Sequence, residues 1–205
     1  MNDATTAILE DLTRETEALG LYPPPFVGFP SIARLSRDCW VTEKIDGTNA
    51  SIHITDDYRM FVGSRTRWIT PDNDNYGFAK WAYARQPDLL RLGPGHHFGE
   101  YWGQGCQRNY GLKEKRFSLF NVGRWLDDVD RPDCCHVVPL LYRGPFDTTV
   151  INQVLADLER DGSRAAPGFM LPEGIVVYHE KARVSFKKTI GSDGNKSALT
   201  SSGAV

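Results

Sequence analysis

The stretch VTEKIDGTNASIHI, residues 41–54, places a lysine and an aspartate just ahead of a glycine and an alternating apolar run. Residues 50–54 have the two-residue period of a half-buried strand, and residues 41–44 are typical of a second strand. Gly47 lies between them, where we expect a tight bend. Lys44 therefore ends a strand beside a turn, which suits either a solvated surface charge or a nucleophile presented from a rigid sheet into a cleft.

The short motif does not decide between these interpretations of Lys44. A Lys-x-Asp-Gly sequence arises by chance in roughly one chain in forty of this length, counting ~20 residue types at each fixed position. The role of the lysine therefore depends on which partners the rest of the chain supplies.

The composition indicates a globular protein with local recognition sites. The 205 residues can bury one good core, and we expect a single domain over residues 1–190 with a mobile tail over residues 191–205. The 24 Lys and Arg residues against 26 Asp and Glu residues create no global basic field. Any binding of nucleic acid must therefore come from a local patch.

The cysteines and the N-terminus bear on the cellular compartment. The chain contains Cys39, Cys106, Cys134 and Cys135. No two of them form a C-x-x-C pair, and vicinal cysteines are poor disulfide candidates, so we expect free thiols and no structural zinc. The polar N-terminus holds no apolar run long enough for a signal peptide or a membrane span. We therefore expect a cytoplasmic protein with no membrane partner.

The remaining patterns interleave short strands with three helices. Apolar spacing predicts helices over residues 3–19, 76–91 and 148–160, the last capped by Asp147 or Thr148. Strands are expected at residues 58–62 with a continuation through 69, 97–103, 116–122, 136–142, 174–179 and 183–188. Because the strands outnumber the helices and follow one another in a meander, we predict an α+β domain built on antiparallel sheets.

Four further stretches accompany the lysine motif in order along the chain. They are GSRT (63–66), FGEYWGQGCQRNYGL (98–112), FSLFNV (117–122) and PEGIVVYHEKARVSFKK (172–188). In this order and at these separations, the set resembles the nucleotidyltransferase motifs of the covalent ligase and capping-enzyme superfamily, and within it the RNA ligase family. The resemblance spans roughly residues 40–190, and ordered motifs are far more specific together than any one of them alone.

The resemblance implies both a fold and a reaction. The fold would be the nucleotidyltransferase domain, with antiparallel sheets flanked by helices and a nucleotide cleft between the sheets. Lys44 would react with ATP to form a covalent lysyl-AMP, with Mg²⁺ or Mn²⁺ required. The AMP would pass to a 5′-phosphate, which would then be sealed to a 3′-hydroxyl of RNA or another polynucleotide.

The resemblance also implies roles for residues close to Lys44. Asp46 and Gly47 would complete the motif of the nucleophile. Glu43 would help to read the edge of the base, and Asn49 would contact the phosphate or the reacting end.

More distant residues would complete the nucleotide site. By the same resemblance, Arg65 and Glu100 would bind the ribose, and Phe120 would stack on the base. Glu173 would assist the metal-dependent chemistry, and the lysine pair Lys187 and Lys188 would contact the α-phosphate.

These residue types also fit the chemistry. A lysine amine attacks phosphorus only when it is unprotonated, although a free lysine has a pKa of about 10.4, so the site must hold cations. Lys187, Lys188, Arg65 and a divalent metal would supply them, and the same charges would favour the departure of pyrophosphate. Carboxylates such as Glu173 and Glu100 can hold a magnesium ion or accept hydrogen bonds from ribose hydroxyls.

The last motif departs from the family pattern, in which one residue separates two lysines. Here Lys187 and Lys188 are adjacent, and adjacent strand residues point to opposite faces, so only one of them enters the pocket. We favour Lys187, with Ser185 standing where the first lysine of the pattern would be.

Several assignments have a simpler structural interpretation. Phe120 suits a hydrophobic core as well as a base-stacking site, with Phe117 and Phe120 on opposite sides of a regular strand. Arg67, Arg108 and Tyr110 are candidates for nucleic-acid binding, although Arg108 and Tyr110 also suit a role in ordering their loop. The tryptophans are scattered and predict no single stacking platform.

Other functions remain open at this stage. A small DNA ligase or a capping-type guanylyltransferase usually carries a C-terminal oligonucleotide-binding fold, and only seventeen residues follow Lys188. We therefore expect no appended domain, and a partner protein is a possible source of the missing substrate contacts. A catalytically silent module that binds a nucleotide or a nucleic-acid end is the alternative from a different class.

Overall fold

A computed structural model describes residues 3–18, 20, 26–127 and 129–191 of the chain. The chain divides into two compact units between Ala33 and Arg34. The first unit contains helix α1 (Asp3–Ala18), which confirms the predicted N-terminal helix. No helix in the described parts of the chain has both the length and the apolar character needed to cross a bilayer. The tail that we predicted to be mobile lies outside the described residues beyond Gly191.

The second unit contains the strands and the remaining helices. In chain order these are β1 (Asp38–Lys44), β2 (Thr48–Ile54), β3 (Met60–Gly63), β4 (Trp68–Ile69), α2 (Phe78–Tyr83), α3 (Gln86–Leu89), β5 (Gly95–Gly103), β6 (Lys115–Leu119), α4 (Val122–Trp125), β7 (Cys135–Val137), β8 (Leu140–Pro145), α5 (Thr148–Asp161), β9 (Gly174–His179) and β10 (Val184–Thr189).

The first sheet has four strands in the order β10-β9-β1-β8, and all of its pairs are antiparallel. Helix α5 packs on one face, where Ile151 and Leu158 meet Val41, Ile175 and Val177 of the sheet. The helix begins as predicted, because the Asp147 carboxylate accepts hydrogen bonds from the first free backbone amides. The opposite face of this sheet carries Lys44.

The second sheet has six strands in the order β4-β3-β2-β5-β6-β7. One face is the main hydrophobic core, in which Ile52, Ile54 and Val62 pack with Phe78 and Leu89 of the short helices. The sheet is mixed, because β6 and β7 run parallel whereas the other pairs are antiparallel. The α+β prediction is therefore confirmed, and the prediction of purely antiparallel sheets is wrong at this one pair.

Two prolines explain where the predicted elements break. The helix predicted over residues 76–91 is divided into α2 and α3, since Pro87 has no amide donor and takes a place in the first turn of α3. The strand predicted over residues 136–142 is interrupted at Pro139, so that β7 joins the second sheet and β8 joins the first. The chain thus crosses between the sheets at Pro139.

The lysine motif makes the other important crossing. β1 ends at Lys44 in the first sheet, and β2 begins at Thr48 in the second. A Cβ atom on Gly47 would lie 2.5 Å from the carbonyl oxygen of Tyr101 and 2.6 Å from Cβ of Trp102. Close approach to β5 therefore requires the glycine, rather than the tight bend that we predicted.

Candidate active site

Lys44 lies at the point where the two sheets approach each other. Its Nζ donates a hydrogen bond of 2.6 Å to Oε2 of Glu173, the residue just before β9. The two side chains are 25% and 18% exposed, so the pair is shielded but open to a ligand. The structure thus brings together two predicted site residues that are 129 positions apart in the chain.

On the second sheet, Glu100 of β5 faces the candidate site. Its Oε1 accepts a hydrogen bond of 3.1 Å from the Gly47 amide, and its Oε2 accepts one of 3.1 Å from Nδ2 of Asn49. Asn49 and Glu100 face each other across the β2–β5 pair. Burial raises the pKa of Glu100 to about 7, although the Gly47 amide and Lys44 act in the opposite direction. The carboxyl group is therefore poised to bind or release a proton near neutral pH.

Asp46 is held by two residues from the 98–112 stretch. Nε of Arg108 donates to Oδ2 of Asp46 at 2.9 Å, and Nη1 donates to the Leu171 carbonyl oxygen at 3.0 Å. The Tyr110 hydroxyl accepts a hydrogen bond of 2.8 Å from the Asp46 amide. Arg108 therefore connects the lysine motif to the segment that carries Glu173.

The contacts of Arg108 and Tyr110 differ from the nucleic-acid contacts that we predicted for them. Tyr110 is only 2% exposed, and its ring packs against Trp102 and Phe169 in the interior. A buried ring offers no face to RNA, so the prediction for Tyr110 is wrong. Arg108 is committed to the Asp46 loop, so both residues take the loop-ordering role that was the alternative.

Glu43 is fully buried one residue before Lys44. Its carboxylate accepts hydrogen bonds from the Ser163 hydroxyl at 2.5 Å and from the amides of Arg164 at 2.7 Å and Ala165 at 2.9 Å. Burial raises its pKa, with these hydrogen bonds opposing the shift. Both carboxylate oxygens are occupied by the chain itself, so the predicted contact with the base edge is wrong for this side chain. Glu43 instead fixes the loop after α5 to the strand that ends in Lys44.

The register of β10 separates the two adjacent lysines. Lys187 pairs with Val176, which pairs in turn with Thr42, and Thr42 shares its face with Lys44. Lys188 pairs with Ile175 on the α5 face, and its Nζ donates to Oδ1 of Asn152 at 2.6 Å. Lys187 is therefore the lysine on the nucleophile's face, as we predicted, and Ser185 lies on that face two residues earlier.

The aromatic residues of the FSLFNV stretch also separate. Phe117 is buried in the main core, whereas Phe120 lies just beyond the end of β6 and is 42% exposed. Val176, which the sequence analysis did not single out, is half-buried on the Lys44 face beside Lys187. The one feature of the sequence that could have indicated Val176 is its position in an apolar strand, three residues after Glu173.

The two arginines of the GSRT region differ in their contacts. Arg67 donates to the Asn73 carbonyl oxygen at 3.2 Å, which ties the loop after β4 to the turn before it. Arg65 is exposed in the turn that follows β3. The pairing of β3 with β2 ends at Gly63, opposite Ser51, and the Ser64 amide then donates to the Arg67 carbonyl oxygen to close the turn. Of the predicted ribose-binding residues, Glu100 lies in the sheet opposite Asn49, and Arg65 lies in the β3–β4 turn beyond the paired residues.

Comparison with known proteins bears on the family and the fold of this chain. A family model described as RNA ligase matches residues 37–190. Among solved structures, a mutant of the RNA ligase of Naegleria gruberi with ATP and Mn matches with a TM-score of 0.58 at 20% identity, covering 82% of this chain and 57% of that chain. The same ligase with pyrophosphate matches with a TM-score of 0.55 at 22% identity, covering 85% of this chain and 64% of that one. No protein with a curated description matches.

These likenesses concern the fold, and this chain spans less than two thirds of the length of those ligases. The matched region contains each site residue described above, from Glu43 to Lys188.

Proposed function

Because the chain belongs to the RNA ligase family, we propose that it is an ATP-dependent RNA ligase that acts through a covalent lysyl-AMP on Lys44. The observation that carries the proposal is the 2.6 Å contact between Nζ of Lys44 and Oε2 of Glu173. Glu100 of the other sheet interacts electrostatically with both members of this pair and holds Asn49, and Lys187 lies on the Lys44 face of the first sheet, two strands away. A nucleophile, an acidic partner and a cation are the groups that phosphoryl transfer needs.

In the first step, Nζ of Lys44 attacks the α-phosphorus of ATP. The new N–P bond forms as the P–O bond to pyrophosphate breaks, and the proton leaves Nζ for Glu173 or for solvent. Lys187 lies on the same face and neutralises negative charge on the phosphates as the leaving group departs. Arg108 and Tyr110 hold the Asp46 loop, so that Lys44 is presented from a fixed backbone.

In the next two steps the AMP moves to RNA and is then released. An oxygen of the 5′-phosphate attacks the phosphorus of lysyl-AMP, the N–P bond breaks, and Lys44 recovers its proton. The 3′-hydroxyl of the second RNA end then attacks the 5′-phosphorus, and AMP leaves as the phosphodiester forms. The substrate is RNA ends, as the family indicates, and any partner protein would add contacts to them.

The nucleotide is held by residues from both sheets. Glu100, which pairs with Asn49, and the exposed Arg65 of the β3–β4 turn bind the ribose hydroxyls and phosphates, since carboxylates accept from hydroxyls and guanidinium groups donate to anions. The exposed ring of Phe120 and the side chain of Val176 bind the two sides of the base. The choice of ATP over GTP rests on the family resemblance.

A divalent metal fits this site as an ion shared with the substrate. No cluster of three or more His, Cys, Asp or Glu side chains suited to a metal occurs within residues 26–127 and 129–191. Mg²⁺ is commonly held by one or two carboxylates together with substrate phosphates, and Glu173 is the carboxylate beside the nucleophile. The metal, Mg²⁺ or Mn²⁺, would supply positive charge to the phosphates.

We also propose that the protein acts in the cytoplasm. Cys39, Cys106, Cys134 and Cys135 are all free thiols, which is the usual state of cysteines in a reducing compartment. We also propose that the catalytic domain extends through residue 190, the last residue that the family model matches.

The test is incubation of the purified chain with α-labelled ATP or α-labelled GTP and Mg²⁺, followed by a denaturing gel. We expect a labelled protein band with ATP only. A band with GTP only would favour a capping-type guanylyltransferase, and no band with either nucleotide would favour a silent binding module. A protein that becomes labelled with AMP and seals nicked DNA but not nicked RNA would instead be a small DNA ligase.

A further inference from the structure

A row of rings continues from the candidate active site along the open face of the second sheet. On β5, His96 and Phe98 precede Glu100 at intervals of two residues and therefore point to the same face as Glu100. His96 pairs with His53 of β2, which pairs in turn with Phe61 of β3. This face is opposite to the main core, because alternate residues such as Ile52 and Ile54 are buried on the other side.

The rings form one connected surface, which we call the aromatic face: His53, Phe61, Trp68, His96 and Phe98. His96 stacks on Phe98 at a centroid distance of 5.9 Å with an interplanar angle of 9°, and on His53 at 3.9 Å. Trp68 lies 6.1 Å from His53 and 6.0 Å from Phe61. These contacts hold the rings in place before any ligand is bound, which lowers the entropic cost of binding.

The aromatic face is unusually exposed for its composition. Phe98 is 58% exposed, Trp68 is 56% exposed and Phe61 is 40% exposed. Groups of exposed large apolar side chains that lie next to one another commonly mark interaction sites on proteins. These rings do not belong to the main hydrophobic core, so their exposure indicates a binding surface.

Gly63 explains how Trp68 lies on this surface. The two residues are paired across β3 and β4, and a Cβ on Gly63 would lie 3.4 Å from two atoms of the Trp68 ring and 2.6 Å from Oγ of Ser51. An added Cβ would therefore touch the indole at ordinary contact distance and would displace the Ser51 hydroxyl. The Trp68 ring thus lies over Gly63 on the sheet, and it remains 56% exposed on its outer side.

The aromatic face is continuous with the candidate nucleotide site. The Phe120 amide donates to the Phe98 carbonyl oxygen at 2.9 Å, so the ring that we assign to the base of ATP comes from the chain next to Phe98. Arg65 and Arg67 lie in the turn that leads into Trp68, and both are exposed. The end of the surface nearest Glu100 therefore combines flat apolar rings with positive charge.

We propose that the aromatic face binds unpaired bases of the RNA strand whose end is being joined, by stacking them on Phe98 and Trp68. Aromatic side chains on an open sheet bind single-stranded RNA in this way, because every base offers a flat apolar surface. Arginines at the rim suit the phosphates between those bases. The inference rests on the proposed function, since it assigns the RNA end to the same site, and it gives the enzyme a preference for unpaired over base-paired ends.

The test compares two probes that differ only in their bases. One is a 5′-phosphorylated single-stranded oligoadenylate RNA, and the other is an abasic oligonucleotide of the same length and charge. Binding is measured at fixed salt for the full chain and for Trp68→Ala, Phe98→Ala and Trp68→Phe. Phe186→Ala is the matched control, because Phe186 is also an exposed aromatic strand residue but points to the α5 face of the other sheet. Thermal unfolding of each variant shows whether it is folded.

We expect Trp68→Ala and Phe98→Ala each to weaken oligoadenylate binding about five-fold to a hundred-fold, the range found for the loss of one stacked base. Binding of the abasic probe stays the same, and Trp68→Phe and Phe186→Ala bind like the wild type. Self-adenylylation also stays at the wild-type rate, because neither ring touches Lys44.

Three outcomes would overturn the inference. Equal affinity of the wild type for the two probes would show that bases are not bound. Equal losses for both probes would assign the face to phosphate binding or to folding. A concentration-dependent dimer that is lost in the alanine variants, with RNA affinity unchanged, would show that a second copy covers the face. Failure of the wild type to take AMP from ATP would instead refute the proposed function, and the probe comparison would still decide the role of the aromatic face.

Discussion

At the scale of single residues, Arg108 does the most to hold the candidate site together. One guanidinium donates to the Asp46 carboxylate and to the carbonyl oxygen of Leu171, just before the segment that carries Glu173. The two segments otherwise belong to different parts of the chain. Arg108 is therefore a positioning residue for the Lys44–Glu173 pair.

Replacing Arg108 with alanine should slow self-adenylylation about ten-fold, equivalent to about 1.4 kcal/mol in the barrier. Arg108→Lys should recover only part of the rate, because an ammonium group does not reproduce the fixed fork of the guanidinium. The measurement is single-turnover labelling with ATP. Arg160→Ala removes an exposed ion pair with Asp157 on α5 and serves as the control. Equal rates for Arg108→Ala and the control would contradict the positioning role.

Glu100 makes the stability of the nucleotide-free protein depend on pH. Its pKa in the folded protein is about 7, above the ordinary value of 4.5. Between these values the folded protein keeps a proton that the unfolded chain has lost, so stability falls as the pH rises from about 4.5 to about 7. The full effect is at most about 3 kcal/mol.

Glu100→Gln cannot ionise and should not show this loss. We expect the free energy of unfolding of the variant, relative to the wild type, to increase between pH 5 and pH 8. Chemical denaturation at the two pH values without nucleotide measures this difference, with the exposed Glu114→Gln as the control. A difference that does not change with pH would show that burial does not raise the pKa of Glu100.

The sequence singles out residues of the candidate site more readily than it predicts their contacts. Lys44, Glu100 and Glu173 were recognisable because each lies in a short motif with its own chemistry. The roles of Arg108 and Tyr110 were not, because their partner Asp46 is 62 and 64 positions away and only the fold brings them together. Local sequence could not show that Glu43 is satisfied by a loop 120 positions later.

At the scale of elements, the decisive feature is the register of β10 on β9. Alternation along a strand places Lys187 and Lys188 on opposite faces, and the sequence predicted this correctly. Only the pairing of Lys187 with Val176 fixes which face belongs to Lys44.

This register gives a ranking for the two lysines. Lys187→Ala should lower the rate of self-adenylylation at least ten-fold, about 1.4 kcal/mol, because a cation is lost from the nucleophile's face. Lys188→Ala should cost much less, since its partner Asn152 lies on α5 behind the sheet. Labelling rates at saturating ATP test the ranking. The reverse order would indicate that the strand is shifted by one residue.

The elements themselves were predictable where a periodic pattern is long. The strands around Lys44 and the helix α5 agree with their apolar spacing and with the Asp147 cap. The sequence did not reveal that β7 and β8 belong to different sheets or that β6 and β7 run parallel. Which strands pair depends on contacts between distant segments of the chain, and the periodicity within one strand does not indicate its partner.

At the scale of the whole molecule, charge should separate the two proposed activities, self-adenylylation and RNA sealing. The 24 basic and 26 acidic residues give no general attraction to RNA, so binding depends on a few exposed groups such as Arg65 and Lys113. Such contacts weaken steeply as salt rises, whereas the shielded Lys44–Glu173 pair is screened less.

We therefore expect sealing of a nicked RNA to fall sharply between low and physiological ionic strength while self-adenylylation changes little. A parallel salt titration of the two activities at fixed ATP and Mg²⁺ measures this. Strong sealing with the same weak salt response as self-adenylylation would mean that the RNA is held mainly by uncharged contacts.

The central claim is that Lys44 is the covalent nucleophile, and peptide mapping of the ATP-treated protein by mass spectrometry tests it most directly. The wild type should carry AMP on the peptide that contains Lys44, attached at that residue. Lys44→Ala and Lys44→Arg should carry none, because neither side chain can form the phosphoramidate at neutral pH. AMP attached at another residue of the wild type, or a labelled Lys44→Arg protein that survives denaturation, would contradict the account.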